Sequence, residues 1–134
     1  MTNLPDLKRK SILIVEDEER NWLLLRDIVE LCNGNAVWAE SGMQAIDRVK
    51  EDKSICMILM DLQLPFMSGV ETTRKIREFK PSIPIIAQTA YSDPELLNKC
   101  QKAGCNQYIL KPINISEVYR VFDDFICSKK VSVS

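Results

Sequence analysis

The segment ICMILMD, residues 55–61, is the most informative part of the chain: a purely apolar run followed directly by Asp61. A second segment, ILIVED at residues 12–17, has the same form and ends in two acidic residues. Both apolar runs are too short for a helix, and neither alternates with polar residues, which is typical of strands buried on both faces. We therefore predict two central strands of a parallel sheet, each ending in carboxylates.

Working outward from these two strands, apolar runs alternate with segments of helical periodicity along the whole chain. The five predicted strands span residues 12–15, 36–39, 55–60, 83–87 and 107–110. Among the helices between and after them, the fourth is predicted to begin after an N-cap at Ser92 and the fifth after Asn114. Because parallel strands need long crossover connections, this alternation predicts an α/β fold with helices on both faces. We expect a doubly wound five-stranded parallel sheet in the order 2-1-3-4-5, with five helices.

Length and composition limit the classes of protein that the chain can belong to. It has 134 residues, a formal net charge of −1, no histidine and five cysteines. We expect one domain over residues 11–127, with an N-terminal extension at 1–10 and a C-terminal tail at 128–134. The near-zero charge argues against general binding of nucleic acids or membrane surfaces. The lack of histidine excludes catalytic pairs of Ser or Cys with His, and it excludes a phosphohistidine carrier.

The cysteines and the apolar runs indicate where the protein is located. The cysteine number is odd and no secretory signal is present, so we interpret the cysteines as reduced thiols rather than as a disulfide framework. No apolar run is long enough to span a bilayer. We expect a cytoplasmic protein, or the cytoplasmic part of a larger, membrane-anchored one.

Chemically reactive side chains follow four of the predicted strands. The carboxyl ends of strands 1, 3, 4 and 5 carry Glu16 with Asp17, then Asp61, Thr89 and Lys111. A single acid after a strand is often only a helix cap, but three beside the point where the strand order reverses would repel one another unless a cation joined them. Oxygen ligands without Cys or His favour Mg²⁺, Mn²⁺ or Ca²⁺, and Mg²⁺ leaves coordination positions for phosphate oxygens. Phosphoryl transfer to a carboxylate is therefore the leading hypothesis.

Four motifs in order resemble the receiver domain of two-component response regulators. They are IVED at 14–17, LMDLQLPFMSG at 59–69, QTA at 88–90 and YILKP at 108–112. The resemblance runs from about residue 11 to residue 127 and implies a flavodoxin-like receiver fold. The amino-acid sequences of these motifs are most similar to those of receiver domains fused to hybrid sensor histidine kinases.

The resemblance implies a role for each matching residue. Asp61 would accept a phosphoryl group from a phosphohistidine on a partner histidine kinase or histidine phosphotransfer protein. Mg²⁺ would be held by Glu16, Asp17, Asp61 and the backbone carbonyl of Gln63. Thr89 and Lys111 would contact the phosphoryl group, and Tyr108 would be the aromatic switch residue that follows Thr89. The peptide bond that corresponds to Lys111-Pro112 is often cis in such domains.

The same resemblance implies an output surface formed by helix 4, strand 5 and helix 5, which is also compatible with a homodimer. An alternative function is a Mg²⁺-dependent phosphohydrolase that uses Asp61 as a transient nucleophile. In haloacid dehalogenase phosphatases an Asp general acid lies two residues after the nucleophile, but here that position is Gln63, which cannot transfer a proton. A flavin binder would share the fold, but it needs a Ser/Thr-rich phosphate loop where this chain has acidic residues 16–19. We therefore expect a phosphoacceptor rather than a turnover enzyme.

Overall fold

The computed structural model of the chain describes residues 4–90 and 92–127. Its five strands form one parallel sheet in the order β2-β1-β3-β4-β5, which confirms the predicted topology. The strands are β1 (Ser11–Val15), β2 (Asn35–Ala39), β3 (Ile55–Asp61), β4 (Ile85–Thr89) and β5 (Gln107–Leu110). The helices are α1 (Glu19–Leu31), α2 (Gly42–Glu51), α3 (Gly69–Arg77), α4 (Pro94–Ala103) and α5 (Ile115–Phe125).

Two hydrophobic cores lie on the two faces of the sheet. Helices α2, α3 and α4 pack on one face against alternate residues of the strands, such as Leu13 and Ile58. Helices α1 and α5 pack on the other face against the intervening residues, such as Ile14 and Leu59. Every residue of β1 is buried, as predicted for a central strand. The sheet is thus covered on both faces, and its carboxyl edge is left to carry the polar residues.

The fourth strand and the fourth helix begin later than predicted. Strand β4 starts at Ile85 rather than Ile83 because Pro84 has no N–H group to donate to a neighbouring strand. The predicted N-cap at Ser92 is wrong: the carboxylate of Asp93 caps α4, accepting a 3.0 Å hydrogen bond from the backbone N–H of Glu95. Both residue types are good N-caps, and the helix uses the one directly before Pro94.

The segment before β1 packs on the domain over its described part, residues 4–10. The side chain of Leu7 is fully buried in the core beneath α1 and α5. Its backbone N–H donates to the carbonyl of Cys32 at 2.8 Å, and that of Arg9 donates to Asn33 at 2.7 Å. The predicted C-terminal tail, 128–134, lies outside the described residues. In the part of the chain that is described, no helix is long and apolar enough to cross a membrane.

Candidate functional site

Three carboxylates meet at the carboxyl edge of the sheet. Strands β1 and β3 are neighbours, with Val15 paired to Met60, so Glu16 and Asp61 leave the sheet side by side. One carboxylate oxygen from each of Glu16, Asp17 and Asp61 lies within 4.8 Å of the others. Glu16 and Asp61 are buried, whereas Asp17 is exposed. The structure therefore brings together the three acids that the sequence analysis selected.

The ammonium group of Lys111 lies between the two buried carboxylates. Its Nζ atom is 3.1 Å from Oδ2 of Asp61 and 3.3 Å from Oε1 of Glu16. The backbone N–H of Lys111 donates to the carbonyl of Thr89 at 2.8 Å, which continues the β4–β5 pairing to the edge of the sheet. The Lys111-Pro112 peptide bond is cis, as the resemblance implies.

The positive charge of Lys111 balances only part of the negative charge of the three carboxylates. This imbalance affects the pKa values of Glu16 and Lys111. The pKa of Glu16 is raised to about 7, first by burial and then by the charge of Asp61, while Lys111 opposes the rise. Burial acts to lower the pKa of Lys111, but the charges of Asp61 and Glu16 outweigh it and raise that pKa. A group of acids that shares a single ammonium favours the arrival of a second positive charge.

The loop after Asp61 is held close to the carboxylates. The backbone N–H of Gln63 donates to Oδ1 of Asp61 at 2.9 Å, which fixes the position of Gln63 beside the acceptor. Gly69 begins α3 directly against β3, and a Cβ atom at this position would collide with the carbonyl oxygen of Asp61. Only glycine allows this close approach, so α3 and the loop are anchored at the site.

The donor set at this edge suits a hard divalent cation. The three carboxylates offer oxygen atoms within one small volume, and the side chains of the cluster contribute no nitrogen or sulfur donor. The backbone carbonyl of Gln63, which was predicted as a further ligand, belongs to the residue held against Asp61. Such a set fits Mg²⁺ better than Zn²⁺.

The two predicted switch residues, Thr89 and Tyr108, lie at different depths. Thr89 is fully buried at the end of β4. Tyr108 is 45% exposed on the neighbouring strand β5, where it pairs in register with Ala87. The ring of Tyr108 borders a surface cavity of about 450 Å³ between α4 and β5.

The sequence analysis missed a contribution from two tryptophans. The indole N–H of Trp38, in β2, donates to the backbone carbonyl of Glu16 at 2.8 Å. Its ring stacks on that of Trp22 in α1, with centroids 4.9 Å apart and an interplanar angle of 4°. The pair braces the turn that carries Glu16 and Asp17. No motif in the sequence signals this role, because it depends on the pairing of β2 with β1.

Fold and site together define a class: a doubly wound α/β domain with an acidic, metal-competent site beside a lysine at the carboxyl edge of its sheet. Comparison with known proteins agrees with this class. Residues 12–123 match the family described as the response regulator receiver domain. The chain belongs to this family, and it is thus a receiver domain of two-component signalling.

Several relatives show the extent of the similarity. The polar-differentiation response regulator DivK of Brucella ovis is 34% identical over 119 residues, which cover 87% of this chain and 96% of DivK. Among solved structures, a similar one is the receiver domain of the Pseudomonas aeruginosa sensor histidine kinase PA1611, which has a magnesium ion coordinated in its active site cleft. It is 33% identical to this chain, with a TM-score of 0.80, and the match covers 90% of this chain and 99% of that one.

A second similar structure is a complex of the Saccharomyces cerevisiae histidine phosphotransfer signalling protein Ypd1 with the receiver domain of its downstream response regulator Ssk1. It is 27% identical with a TM-score of 0.85, and the match covers 98% of this chain and 96% of that one.

Proposed function

We propose that the chain accepts a phosphoryl group on the carboxylate of Asp61 and that this modification switches a signalling surface. The observation that carries the proposal is the environment of Asp61. This buried carboxylate ends β3, lies 3.1 Å from the ammonium of Lys111 and shares a cluster with two further acids. A nucleophilic carboxylate, a fixed cation and a place for a second cation are the groups that phosphoryl transfer needs.

In the proposed reaction, a carboxylate oxygen of Asp61 forms a bond to phosphorus while the P–N bond to the donor histidine breaks. Lys111 neutralises charge on the transferred group, a role suited to a compact ammonium. The hydroxyl of Thr89 would donate to a phosphoryl oxygen. When bound by Glu16, Asp17, Asp61 and the Gln63 carbonyl, Mg²⁺ supplies the electrostatic stabilisation that phosphoryl groups require.

The phosphoryl donor would be a histidine kinase or a histidine phosphotransfer protein. Support comes from the similar structure in which a receiver domain is bound to the phosphotransfer protein Ypd1. The chain has no histidine, so it cannot carry a phosphohistidine itself. We infer a cytoplasmic location because all five cysteines, which are within the described residues, are free thiols. The likeness to the PA1611 receiver supports an origin in a hybrid sensor histidine kinase.

Phosphorylation would be read on the surface formed by α4, β5 and α5. The backbone contact between Thr89 and Lys111 joins the site to β5, where Tyr108 lies three residues earlier. Movement of Thr89 toward a phosphoryl group would alter the packing beneath Tyr108, whose ring would leave its exposed position. Such a modification shifts a two-state equilibrium through local charge and packing.

The chain would act as a phosphoacceptor that assists its own phosphorylation and hydrolysis, not as a turnover enzyme. The alternative, a phosphohydrolase, needs a general acid near Asp61. Gln63 occupies the position two residues on and cannot transfer a proton. Release of many equivalents of inorganic phosphate per protein molecule from small phosphate esters would favour the hydrolase.

The test is intact-protein mass spectrometry after incubation with acetyl phosphate and Mg²⁺. We expect one phosphoryl adduct on the native chain and none on Asp61→Asn. Asp47→Asn, a matched change at an exposed acid of α2, should be phosphorylated normally. If hydrolysis outpaces the measurement, beryllofluoride should still bind to the native chain and not to Asp61→Asn. Failure of both probes, or an adduct on Asp61→Asn, would overturn the proposal.

A further inference from the structure

Helix α4 ends in a motif that brings two cysteines together. Gly104 adopts a left-handed conformation, with φ +119°, and its N–H donates to the carbonyl of Gln101 at 3.0 Å. The N–H of the next residue, Cys105, donates back to the carbonyl of Cys100 at 3.1 Å. This pair of hydrogen bonds is a Schellman motif. In such motifs the side chains of the two residues joined by the second bond, here Cys100 and Cys105, frequently pack together. Here both of those residues are cysteines.

The two thiols lie near enough for each to affect the ionisation of the other. They lie between α3 and α4, where Cys100 is 3% exposed and Cys105 is 8% exposed. The hydroxyl of Thr73, in α3, is 3.8 Å from the sulfur of Cys105. The 3.1 Å backbone hydrogen bond from Cys105 to Cys100 keeps the main chains of the two residues adjacent, as a disulfide requires.

The surroundings distinguish Cys105 from the other cysteines. The hydrogen bond from Cys100 lowers the pKa of Cys105; burial opposes this effect, while Thr73 and the positive charge of Arg77 add to it. The guanidinium of Arg77 is fixed at this helix end by hydrogen bonds of 3.0 and 2.8 Å to the carbonyl of Gly104. The pKa values of the remaining four cysteines, Cys32, Cys56, Cys100 and Cys127, are raised. The groups that favour a thiolate, the hydroxyl of Thr73 and the guanidinium of Arg77, are thus placed at Cys105.

A surface cavity borders this pair of cysteines. Cys100 and Cys105 both line the cavity of about 450 Å³ between α4 and β5. The cavity has room for a small polar oxidant, and its wall includes the exposed ring of Tyr108. Both cysteines are buried in the core and also border this cavity, which is therefore the side from which a small oxidant would approach.

We propose that Cys100 and Cys105 form a thiol modification site that hydrogen peroxide converts into an intramolecular disulfide. The sulfur of Cys105 attacks one peroxide oxygen, the O–O bond breaks, and the departing hydroxide takes a proton to become water. The thiol of Cys100 then attacks the resulting sulfenic acid, the S–O bond breaks, and a second water leaves. Two thiols are oxidised and one peroxide is reduced. The bond would tie the last turn of α4 to the start of β5.

The test uses the intact native chain, treated with a molar excess of hydrogen peroxide, alkylated and digested with trypsin without reduction. Trypsin cleaves after Lys99 and Lys102, so the two cysteines fall in separate peptides, residues 100–102 and 103–120. We expect these peptides to appear as a disulfide-linked pair that dithiothreitol separates. The linked pair should accumulate before any oxidation of Cys32, Cys56 or Cys127. Unlinked peptides, or earlier oxidation of one of those three, would overturn the proposal.

Two matched variants test the assigned order of attack. Cys100→Ser should still form a sulfenic acid at Cys105, which dimedone captures, but no linked pair. Cys105→Ser should leave Cys100 reduced under the same conditions. The opposite pattern would contradict the assignment of Cys105 as the attacking thiol. Asp61→Asn should oxidise like the native chain, so the disulfide is tested independently of the proposed phosphorylation.

Discussion

The ammonium nitrogen of Lys111 lies 3.1 Å from Oδ2 of Asp61, although β4 separates their two strands in the sheet. The side chain of Lys111 therefore reaches across the end of β4, where Thr89 is buried. The ion pair thus connects the carboxyl ends of β3 and β5 across the end of β4. The contact also offsets part of the repulsion between the two buried carboxylates, because Lys111 lies beside both of them.

Replacing Lys111 with Met should destabilise the fold in the absence of Mg²⁺. The change leaves Asp61 and Glu16 buried beside each other with no cation, and breaking a buried pair on one side is costly. We expect the free energy of unfolding to fall by about 1–3 kcal/mol. The loss is no larger because Glu16 can take up a proton, which relieves part of the repulsion. Urea unfolding of the native chain and of the variant at neutral pH measures this difference in the free energy of unfolding.

The double variant Asp61→Asn/Lys111→Met separates the charge effect from lost packing. It should recover part of the stability that Lys111→Met loses, with a coupling free energy of about 0.5–3 kcal/mol. If the changes in the free energy of unfolding of the two single variants simply add up in the double variant, the ion pair between Asp61 and Lys111 contributes nothing to stability.

Asp61→Asn alone should stabilise the chain without Mg²⁺. The change removes the repulsion that raises the pKa of Glu16, and Lys111 keeps a partner because Glu16 is 3.3 Å away. A gain of about 1 kcal/mol corresponds to a rise of about 3–5 °C in the melting temperature of a domain of this size. Asp47→Asn, at an exposed position, is the matched control and should change the melting temperature little. A lower melting temperature for Asp61→Asn would contradict the crowded acidic site.

Much of the fold and of the site could be predicted because each depends on local pattern. The apolar runs before Glu16 and Asp61 identify central strands, and topology then places Thr89 and Lys111 at the same edge. What could not be predicted depends on contacts between distant segments. The burial of Leu7 and the hydrogen bond from Trp38 to Glu16 follow from packing that no local motif encodes.

The stability of the chain without Mg²⁺ should rise as the pH falls through the range in which Glu16 titrates. The pKa of Glu16 is about 7 in the folded chain against an ordinary value of 4.5. Between these values the folded state binds one more proton than the unfolded state, so lowering the pH favours folding. We expect a gain on the order of 2 kcal/mol between about pH 7.5 and pH 5.5.

Glu16→Gln tests the assignment of this pH dependence, because its side chain is already neutral. Its melting temperature should change much less than that of the native chain across the same pH range. An identical pH profile for the native chain and the variant would assign the effect to another group.

The two candidate caps of α4 can be compared directly. Asp93→Ala removes the carboxylate that accepts from the N–H of Glu95 and should cost about 1 kcal/mol of stability. Ser92→Ala, one residue earlier, should be within about 0.5 kcal/mol of the native chain, as for most surface changes. Chemical denaturation of both variants decides between the predicted and the observed cap. A larger cost for Ser92→Ala would mean that α4 begins as the sequence pattern predicts.

The tryptophan pair should report on the metal site. Trp38 donates to the carbonyl of Glu16 and stacks on Trp22, and these are the only two tryptophans of the chain. Binding of Mg²⁺ by the adjacent acids should therefore change the intrinsic fluorescence. Trp38→Phe keeps an aromatic ring but removes the indole donor, which is worth about 0.5–1.5 kcal/mol as a hydrogen bond. Loss of that brace should weaken Mg²⁺ binding by about 2- to 10-fold, since part of this energy positions Glu16 and Asp17.

Isothermal titration calorimetry measures this affinity in both proteins without relying on fluorescence. Tyr119→Phe, which removes a hydroxyl from a half-buried aromatic residue of α5, is a control for aromatic substitution elsewhere and should bind Mg²⁺ like the native chain. Unchanged affinity in Trp38→Phe would mean that the turn carrying Glu16 and Asp17 holds its shape without the indole. In that case the close fit of α1 against β2, rather than the single hydrogen bond to the Glu16 carbonyl, would position the acidic pair.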